Sequence, residues 1–308
     1  MKTRAIVNLM ANKGSARRRW PPWQQKLEAA LGPLDVVFTA RTGHATELAR
    51  AALADGCRRL ITAGGDGTVN EALNGMIDAG RPLAPDAVLC PIPLGTANEL
   101  CRALGHLAAP DGAALAIASG RTRSIDVIRA DFHGLDGRPG TRYGYLVASF
   151  GCAATISHRT SSSPWLKKLG QVAYLLMTPV VAMTYRHRVV TTRIDDGTPT
   201  TRAMFSGMIA SAENGGGGMK LAPGAIIDDG LLDFVAFGDL GRAEVLFKVM
   251  PGLYEGRHVA HPKVSTSRGR RFRFECPDET LVDLDGETVG NLPLTVTVLE
   301  RLVHVPVL

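Results

Sequence analysis

The chain has 308 residues, of which 45% are hydrophobic and 21% are charged, so it is long enough for two globular domains. Its formal net charge of +6 suits an anionic partner, such as a nucleotide, a nucleic acid or an anionic lipid surface, and does not choose among them. The five cysteines are scattered without any CxxC pair, which argues against a zinc site or a disulfide framework and favours a reducing cytoplasm.

Residues 1–126 are predicted to alternate strands and helices. The predicted strands are Arg4–Leu9, Val36–Phe38, Leu60–Thr62 and Val88–Ile92. Apolar residues at helical spacing follow each strand, and Pro21-Pro22 is taken as the start of the first helix. Repeated βα units imply a parallel sheet covered by helices, so this part is predicted to be a Rossmann-like α/β domain.

Residues 127–308 have a different pattern, because short β-like runs are separated by Gly, Pro and Asp clusters. This pattern predicts a β-sandwich-like C-terminal domain. The tail Val303–Leu308 could belong to either domain, so a return of the last strand to the first domain is left open.

A glycine-rich loop follows the predicted strand Leu60–Thr62, as Ala63-Gly64-Gly65-Asp66-Gly67-Thr68-Val69-Asn70-Glu71. Glycines let backbone N–H groups approach phosphate oxygens, and the following helix N-terminus favours an anion. Asp66 makes sense beside Mg²⁺ that shields the phosphates. The alternative is a tight turn without a ligand, since neither the Walker pattern nor the GxGxxG spacing fits.

A second loop follows the next strand and contains Pro93-Leu94-Gly95-Thr96-Ala97-Asn98-Glu99. Loops at the C-terminal ends of adjacent parallel strands frame a ligand crevice, so the two loops together predict a nucleotide site. Alone, the second loop reads as a plain turn with Asn98 as a helix N-cap.

Two acidic turns occur in the second half of the chain. Asp228, Asp229 and Asp233 lie around one turn, where backbone carbonyls and a carboxylate could hold Mg²⁺ or Ca²⁺. Asp285-Gly286-Glu287 ends an alternating strand and offers a proton acceptor for an attacking hydroxyl. Each turn, taken in isolation, also fits a solvated hairpin turn.

Four segments, in this order, resemble the diacylglycerol kinase catalytic family, whose relatives include the sphingosine kinases. They are Gly64–Thr68, Pro93–Glu99, Asn214–Asp233, which contains the first acidic turn, and Asp285–Glu287. The resemblance covers nearly the whole chain, and Asn8 with Gly14-Ser15 is similar to the first Asn-rich loop of the family. It implies ATP and Mg²⁺ as cofactors. The implied ATP-binding residues are Asn8, Thr39, Gly64, Gly65, Asp66, Gly67, Thr68, Val69, Asn70, Gly95, Thr96 and Asn98.

The resemblance also implies catalytic and metal-binding roles. Asp285 or Glu287 would accept the proton, with a preference for Asp285. A structural Mg²⁺ would be held by Asp229 and the backbone of Ile226 and Leu231, and a carboxylate chain to the catalytic Mg²⁺ would be formed by Asp66, Glu99 and Asp126. The chain departs from the family pattern at Glu99, where Asp is commoner, and in lacking Pro after Asn8.

The implied activity is transfer of the γ-phosphoryl group of ATP to a hydroxyl of a lipid such as diacylglycerol. An NAD kinase-like kinase of a soluble substrate, or a non-catalytic regulator that binds nucleotide or lipid, stays as an alternative. The lipid itself is not identified, and diacylglycerol, a sphingoid base and phosphatidylglycerol all remain open. Nucleic acid is not expected as a partner, and a homodimer is left open.

The segment Trp165–Tyr185 is predicted to contact a membrane surface. It is apolar, basic residues flank it, and Pro179 interrupts it. It falls short of a spanning helix, which takes roughly 20 apolar residues, and no signal peptide is expected at the start of the chain. The segment therefore predicts a cytoplasmic protein that associates peripherally with an anionic membrane, although a helix packed on the β domain is equally compatible.

Overall fold

The computed structural model describes residues 1–105, 110–163, 166 and 171–308. They form two compact units, one of residues 1–126 and 301–308 and the other of residues 127–300. The chain thus enters the second unit after Asp126 and returns to the first at Arg301. Within the described ranges, no helix is long and apolar enough to cross a bilayer.

The first unit is an α/β structure. Its elements are β1 (Thr3–Val7), α1 (Ala16–Leu31), β2 (Asp35–Phe38), α2 (His44–Ala54), β3 (Arg59–Gly64), α3 (Asp66–Met76), β4 (Ile77–Asp78), β5 (Arg81–Pro82), β6 (Val88–Pro93), α4 (Glu99–Ala103), α5 (Pro110–Ser119) and the start of β7 (Thr122–Gly134). The strands pair in parallel in the order β2-β1-β3-β6. In β3 and β6 the register joins Gly64 to Pro93, so both strands end at the same edge of the sheet.

Helix α1 differs from the sequence-based expectation, because it begins at Ala16 and contains Pro21 and Pro22. Trp20, Trp23 and Leu27 are all buried in the core of the first unit. Burial of Trp20 on the N-terminal side of the prolines outweighs the local preference of proline for a helix start.

The second unit is mostly antiparallel β-structure. After β7 come β8 (Pro139–Gly144), β9 (Val147–Gly151), α6 (Cys152–Ser162), α7 (Gln171–Thr184), β10 (Arg188–Ile194), β11 (Thr200–Met204), β12 (Ser206–Ala210), β13 (Asn214–Gly215), β14 (Met219–Lys220), β15 (Leu232–Phe237), α8 (Arg242–Glu244), a π-helical turn (Val245–Val249), α9 (Met250–Leu253), a 3₁₀ turn (Arg257–Ala260), β16 (Val264–Gly269), β17 (Arg271–Glu275), β18 (Leu281–Leu284) and β19 (Glu287–Pro306). The sheet runs β16-β15-β12-β9-β18-β19.

Aromatic packing holds the core of the second unit together. Phe150 and Phe234 each contact Phe274, with ring centroids 4.7 and 5.0 Å apart, and all three side chains are buried. Strands β18 and β19 join through a hairpin at Asp285-Gly286, where both residues have positive φ angles of 51° and 87°. Such angles fit the two-residue hairpin loops that favour Asp-Gly, and this hairpin presents the second acidic turn.

Candidate active site

The first glycine-rich loop turns sharply from β3 into α3. Gly65 has an extended backbone and precedes Asp66, the first residue of the helix. A Cβ on Gly64 would lie 2.5 Å from Oγ1 of Thr68, so this turn has no room for a side chain at residue 64. The N-terminus of an eleven-residue helix therefore lies at the carboxyl edge of the sheet, where its dipole and its first backbone N–H groups suit a phosphate.

Asn8 brings the end of β1 to the same loop. Its Nδ2 donates to Oγ1 of Thr68 at 3.0 Å, and its Oδ1 accepts from the N–H of Met10 at 3.0 Å. Thr39, half-buried after β2, donates its N–H to the carbonyl of Val7 at 3.0 Å. Three successive parallel strands thus deliver Asn8, Thr39 and Thr68 to one edge.

Val69 and Asn70 belong to the interior of the first unit. Their exposures are 4% and 2%, and the carbonyl of Asn70 accepts from Nδ2 of Asn74 at 2.8 Å. Their backbone is part of α3, but the side chains point away from solvent. Any contribution to nucleotide binding would therefore come from the helix backbone.

The second loop closes against the first through a glycine pair. A Cβ on Gly95 would lie 2.3 Å from Cα of Gly65, which real Cβ atoms do not approach. Asn98 has a left-handed conformation and holds Gly95 from both sides, accepting its N–H at 2.8 Å and donating to its carbonyl at 3.1 Å. Thr96 is exposed, and its hydroxyl lies 3.5 Å from Oδ1 of Asn12.

Asp66 joins the two loops. Its carboxylate accepts the N–H groups of Asn98 at 2.8 Å and Glu99 at 2.7 Å, which are at the start of α4. A carboxylate at a helix N-terminus satisfies backbone donors that have no partner in the helix. Burial raises the pKa of the Cys101 thiol, and the negative charge of Asp66 raises it further.

The carboxylates predicted to hold the catalytic Mg²⁺ are buried. Glu99 is 6% exposed and Asp126 is fully buried, accepting the N–H of Arg301 at 2.7 Å. Among the described residues, no three His, Cys, Asp or Glu side chains are close enough to hold an ion by themselves. Oxygen donors fit Mg²⁺, which usually takes one or two carboxylates with waters and phosphate oxygens, so the role of Asp66, Glu99 and Asp126 stays a prediction.

The first acidic turn contains an ion-pair network. Asp229 accepts from the guanidinium of Arg268 and, at 3.1 Å, from the N–H of Leu231, and the same guanidinium lies 3.1 Å from Asp233. Burial raises the pKa of Asp233, against the lowering effect of Arg268. Arg268 is therefore the cation that faces Asp229, and the structural Mg²⁺ site expected from Ile226, Asp229 and Leu231 stays a prediction.

Asp285 anchors the second acidic turn. Its carboxylate accepts three backbone N–H groups, from Tyr145 at 2.9 Å, Leu146 at 3.1 Å and Val147 at 3.0 Å. Below the turn, Asp283 accepts the N–H of Gly286 at 2.9 Å. Asp285 therefore fixes the hairpin to the segment that begins β9.

Glu287 has a more open environment than Asp285. One carboxylate oxygen, Oε2, accepts from Arg142 at 2.5 Å, and the side chain is 39% exposed. Within the described part of the chain, Oε1 has no hydrogen-bond partner. An ionised carboxylate with an accessible oxygen is suited to accept a proton.

Some residues of the site were not predicted from the sequence. Arg19 of α1 donates to the carbonyls of Pro93 at 2.6 Å and Leu94 at 3.3 Å, which supports the second loop. Glu71 accepts the N–H groups of Gly43 at 2.8 Å and Ala45 at 3.1 Å at the start of α2. Glu71 is the last residue of the glycine-rich segment given above, but nothing in the sequence pairs it or Arg19 with partners so distant in the chain.

Comparison with known proteins identifies the family. The model of the diacylglycerol kinase catalytic domain matches residues 2–130, and the model of the YegS C-terminal NAD kinase beta sandwich-like domain matches residues 146–307. A diacylglycerol kinase of Staphylococcus aureus (strain bovine RF122 / ET3-1) is 30% identical over 306 residues, covering 99% of this chain and 91% of the relative. The chain belongs to the diacylglycerol kinase family. The resemblance and the fold class predicted from the sequence, α/β followed by a β-sandwich-like domain, are confirmed.

Solved structures share the fold of this diacylglycerol kinase family member. A crystal structure from Bacillus anthracis str. Sterne, provisionally assigned as a diacylglycerol kinase, has a TM-score of 0.78 at 23% identity and covers 100% of this chain and 97% of its own. Yeast NADH kinase complexed with NADH has a TM-score of 0.55 at 12% identity, covering 100% of this chain and 84% of its own. The family membership makes this chain a kinase, and kinases use ATP and generally a divalent metal.

Proposed function

We propose that this kinase transfers the γ-phosphoryl group of ATP to a hydroxyl of a membrane lipid of the diacylglycerol class. The observation that carries the lipid acceptor is the match, over 99% of the chain, to a relative named diacylglycerol kinase. Since the family fixes the kinase class and not the acceptor, the acceptor is the part of this proposal that an experiment must decide.

The nucleotide half of the reaction uses the loops of the first unit. The N-terminus of α3, with Asn8 and Thr68 beside it, offers N–H, amide and hydroxyl donors to phosphate oxygens. Gly64, Gly65 and Gly95 let the backbone come close to the nucleotide, and Thr39 and Thr96 would add contacts at the edge. A divalent cation bound with the nucleotide, held by Asp66 or Glu99, would neutralise charge on the transferring group.

The acceptor half uses the second acidic turn. Glu287 accepts the proton of the attacking hydroxyl, and Asp285 holds the turn in position. The support is the difference in their surroundings, because three N–H donors occupy Asp285 whereas Oε1 of Glu287 is available. This assignment reverses the preference for Asp285 that the family resemblance implied.

An acceptor screen with radiolabelled ATP tests the proposal. Dioleoylglycerol in detergent micelles, sphingosine, phosphatidylglycerol and NAD are offered separately, and each product is partitioned between organic solvent and water. Label in the organic phase with dioleoylglycerol is expected. Label that appears only in water with NAD would overturn the lipid proposal.

Phosphorylation of a soluble dinucleotide is the second candidate. It is favoured by the NAD kinase-type description of the family model that matches residues 146–307 and by the shared fold with yeast NADH kinase. ATP binding without transfer to any acceptor would instead favour a regulator. The same screen separates these outcomes.

Peripheral contact with an anionic membrane is also part of the proposal. Of the segment Trp165–Tyr185, residues 165 and 167–170 lie outside the described residues, so the membrane contact predicted for that part of the segment stays a prediction. In α7, Ala173, Val181 and Ala182 are buried, whereas Leu176, Val180 and Met183 are exposed. One face of α7 thus packs on the second unit while another remains available to lipid.

A further inference from the structure

A cationic cavity in the second unit lies beside α7. Its volume is about 420 Å³, within the range of small-ligand pockets. Arg159, Arg186 and Arg188 line it together with Tyr185 and Glu279, and we call it the arginine pocket. Three guanidinium groups face one carboxylate, so the pocket has an excess of positive charge.

The guanidinium groups are poorly neutralised. Arg159 and Arg186 are exposed and form no ion pair with any described residue. Arg188 is 30% exposed and lies 3.7 Å from Asp278, at the outer limit of an ion pair, while its buried Nε has no hydrogen-bond partner in the described part of the chain. Charge of this kind is complementary to a phosphate group, which guanidinium recognises in a bidentate manner.

Tyr185 gives the pocket a rigid wall and a hydroxyl donor. Its ring packs edge-on against Phe205 with centroids 5.6 Å apart, and the guanidinium of Arg188 lies 6.0 Å from the ring centroid. Burial raises the pKa of the Tyr185 hydroxyl to about 12, so this group keeps its proton at physiological pH. Thr184, also in the lining, adds a further hydroxyl.

An exposed apolar ridge borders the arginine pocket on the same helix. Leu176, Val180 and Met183 are 51%, 51% and 43% exposed, and their spacing of four and three residues places them on one face of α7. Val181 and Thr184, which line the pocket, are each one residue further along the helix. An anion site therefore adjoins an apolar surface, which is the chemistry of a phospholipid at the headgroup boundary.

We propose that the arginine pocket binds the phosphate of an anionic phospholipid in a membrane surface, with Leu176, Val180 and Met183 entering the boundary between headgroups and acyl chains. Diacylglycerol itself is uncharged and gives the three guanidinium groups no anionic partner, so the proposed ligand of the pocket is a different lipid from the proposed acceptor. The inference rests on the proposed function in one respect, that the acceptor lies in a bilayer, and it assigns the residues that bring the kinase there.

Vesicle sedimentation without ATP tests the pocket. The full chain is mixed with vesicles of phosphatidylcholine and phosphatidylglycerol in equal parts, or of phosphatidylcholine alone. Arg159→Gln/Arg186→Gln is compared with Arg193→Gln/Arg273→Gln, which removes the same charge from exposed positions on β10 and β17. Each cation near an anionic surface strengthens binding about 5-fold, so the pocket variant is expected to bind the mixed vesicles roughly 30-fold more weakly.

The control variant distinguishes binding in the arginine pocket from the general electrostatic attraction of a cationic protein to an anionic vesicle. It is expected to bind the mixed vesicles within about 3-fold of the unaltered chain, because positions 193 and 273 contact no headgroup. An equal loss in both variants would overturn the pocket and leave only the net charge as the cause. Equal sedimentation of the pocket variant and the unaltered chain would overturn it as well.

Two further arms test the ridge and the source of the phosphate. Leu176→Ser is expected to weaken vesicle binding several-fold, whereas Leu135→Ser, at a comparably exposed leucine on the β7–β8 hairpin, leaves it unchanged. Glycerol phosphate at millimolar concentration is not expected to displace the protein from vesicles. Displacement by this soluble anion, or an equal effect of the two leucine variants, would contradict a membrane lipid as the ligand.

The vesicle experiment and the acceptor screen can fail separately. Vesicle binding through the pocket by a chain that phosphorylates only NAD would retain this inference and overturn the proposed function. Phosphorylation of dioleoylglycerol in micelles by a chain that ignores anionic vesicles would do the opposite.

Discussion

The two carboxylates of the second acidic turn show how surroundings assign roles to similar groups. Asp285 has a positive φ angle and accepts three backbone N–H groups, so its side chain is committed to holding the hairpin. One carboxylate oxygen of Glu287 accepts a hydrogen bond from Arg142, and the other is available to accept a proton. The sequence places both residues at one turn, but only the partners, about 140 positions away, distinguish them.

We expect Glu287→Gln to lower kcat by about 10²–10⁴-fold while leaving the melting temperature and the KM for ATP close to those of the unaltered chain. Asp285→Asn should instead lower the melting temperature, because an amide cannot accept from all three N–H groups, at a cost of about 1.5–3 kcal/mol. Steady-state kinetics and thermal unfolding measure the two effects. Glu275→Gln, at an exposed position of β17, is the control for an altered surface charge.

A reversed pattern would assign the base to Asp285. That pattern would be a large loss of kcat in a fully stable Asp285→Asn variant, together with full turnover by Glu287→Gln. A loss of kcat in both stable variants would show that proton transfer depends on the pair.

Asp283 is a buried carboxyl whose titration affects stability. Burial raises its pKa to about 6 from the ordinary 3.8, so folding favours the protonated form. Its stabilising contribution is therefore complete below about pH 4 and is lost as the pH rises through about 6. Asn at this position keeps an oxygen for the N–H of Gly286 and does not titrate.

Between pH 4.5 and 7.5, the stability of Asp283→Asn relative to the unaltered chain should improve by on the order of 2 kcal/mol. Urea unfolding at the two pH values measures this difference, and titration of all other groups cancels because both proteins share them. A relative stability that is the same at both pH values would rule out a titrating Asp283.

At the scale of elements, the two glycine-rich loops form one structure because their backbones touch. The approach of Gly95 to Gly65 leaves no space for a Cβ on residue 95, whereas a Cβ on Gly65 would lie 3.3 Å from Cα of Gly95. The two positions therefore predict a graded response to alanine substitution, with a severe effect at residue 95 and a milder one at residue 65.

We expect Gly95→Ala to separate the loops by a distance on the order of 1 Å and to lower ATP turnover by about 10²-fold, since misplacement of this size disrupts positioning. Gly65→Ala should lower turnover less, because a shift of a few tenths of an ångström relieves its contact. Kinetics at varied ATP concentration measure both variants. Equal turnover by both would contradict the packing of the two loops.

At the first acidic turn, Arg268 pairs with both Asp229 and Asp233. Arg268→Gln leaves Asp229 and Asp233 without their shared partner, and we expect a loss of about 1 kcal/mol because the guanidinium is partly exposed. Added Mg²⁺ should then raise the melting temperature of this variant by binding the vacated carboxylates. The unaltered chain should show a smaller Mg²⁺ effect, and a larger one would support the structural Mg²⁺ site that the resemblance implied.

Local signals explain what the sequence could predict of these elements. A buried strand, a glycine-rich loop and a helix with apolar spacing follow one another within a few residues around Gly64 and Gly95, so the order of elements is readable. Asn98 as a partner of Asp66, Arg268 as a partner of Asp229 and Tyr145 as a partner of Asp285 lie 32 to 140 positions away, and these contacts depend on how strands align in three dimensions. The start of α1 could not be predicted from the sequence either, because it depends on the burial of Trp20 in the core.

At the scale of the whole molecule, the end of the chain completes the first unit. Residues 301–308 follow the second unit in the chain and belong to the first unit, and His304 pairs with Val88 at the start of β6. Ser124 and His304 are hydrogen-bonded at 2.9 Å, and the N–H of Val307 donates to the carbonyl of Arg121 at 3.0 Å. We therefore expect the stability of the first unit to depend on the last residues of the chain.

This dependence predicts a selective effect of a change at Val305, which is fully buried. An unpaired carboxylate in the core costs several kcal/mol, so Val305→Asp should unfold the first unit at a much lower urea concentration. Leu308→Asp, at a residue that is 52% exposed, is the matched control and should unfold like the unaltered chain.

Tryptophan fluorescence reports this unfolding because Trp20 and Trp23 are buried in the first unit, and Trp165 is the third tryptophan of the chain. A red shift at low urea is expected for Val305→Asp, together with loss of the rise in melting temperature that ATP gives to a folded nucleotide site. The far-UV circular dichroism of the second unit, whose core contains Phe150, Phe234 and Phe274, should persist to higher urea. If Val305→Asp and Leu308→Asp unfold together in one transition at the urea concentration of the unaltered chain, the C-terminal residues do not contribute to the stability of the first unit.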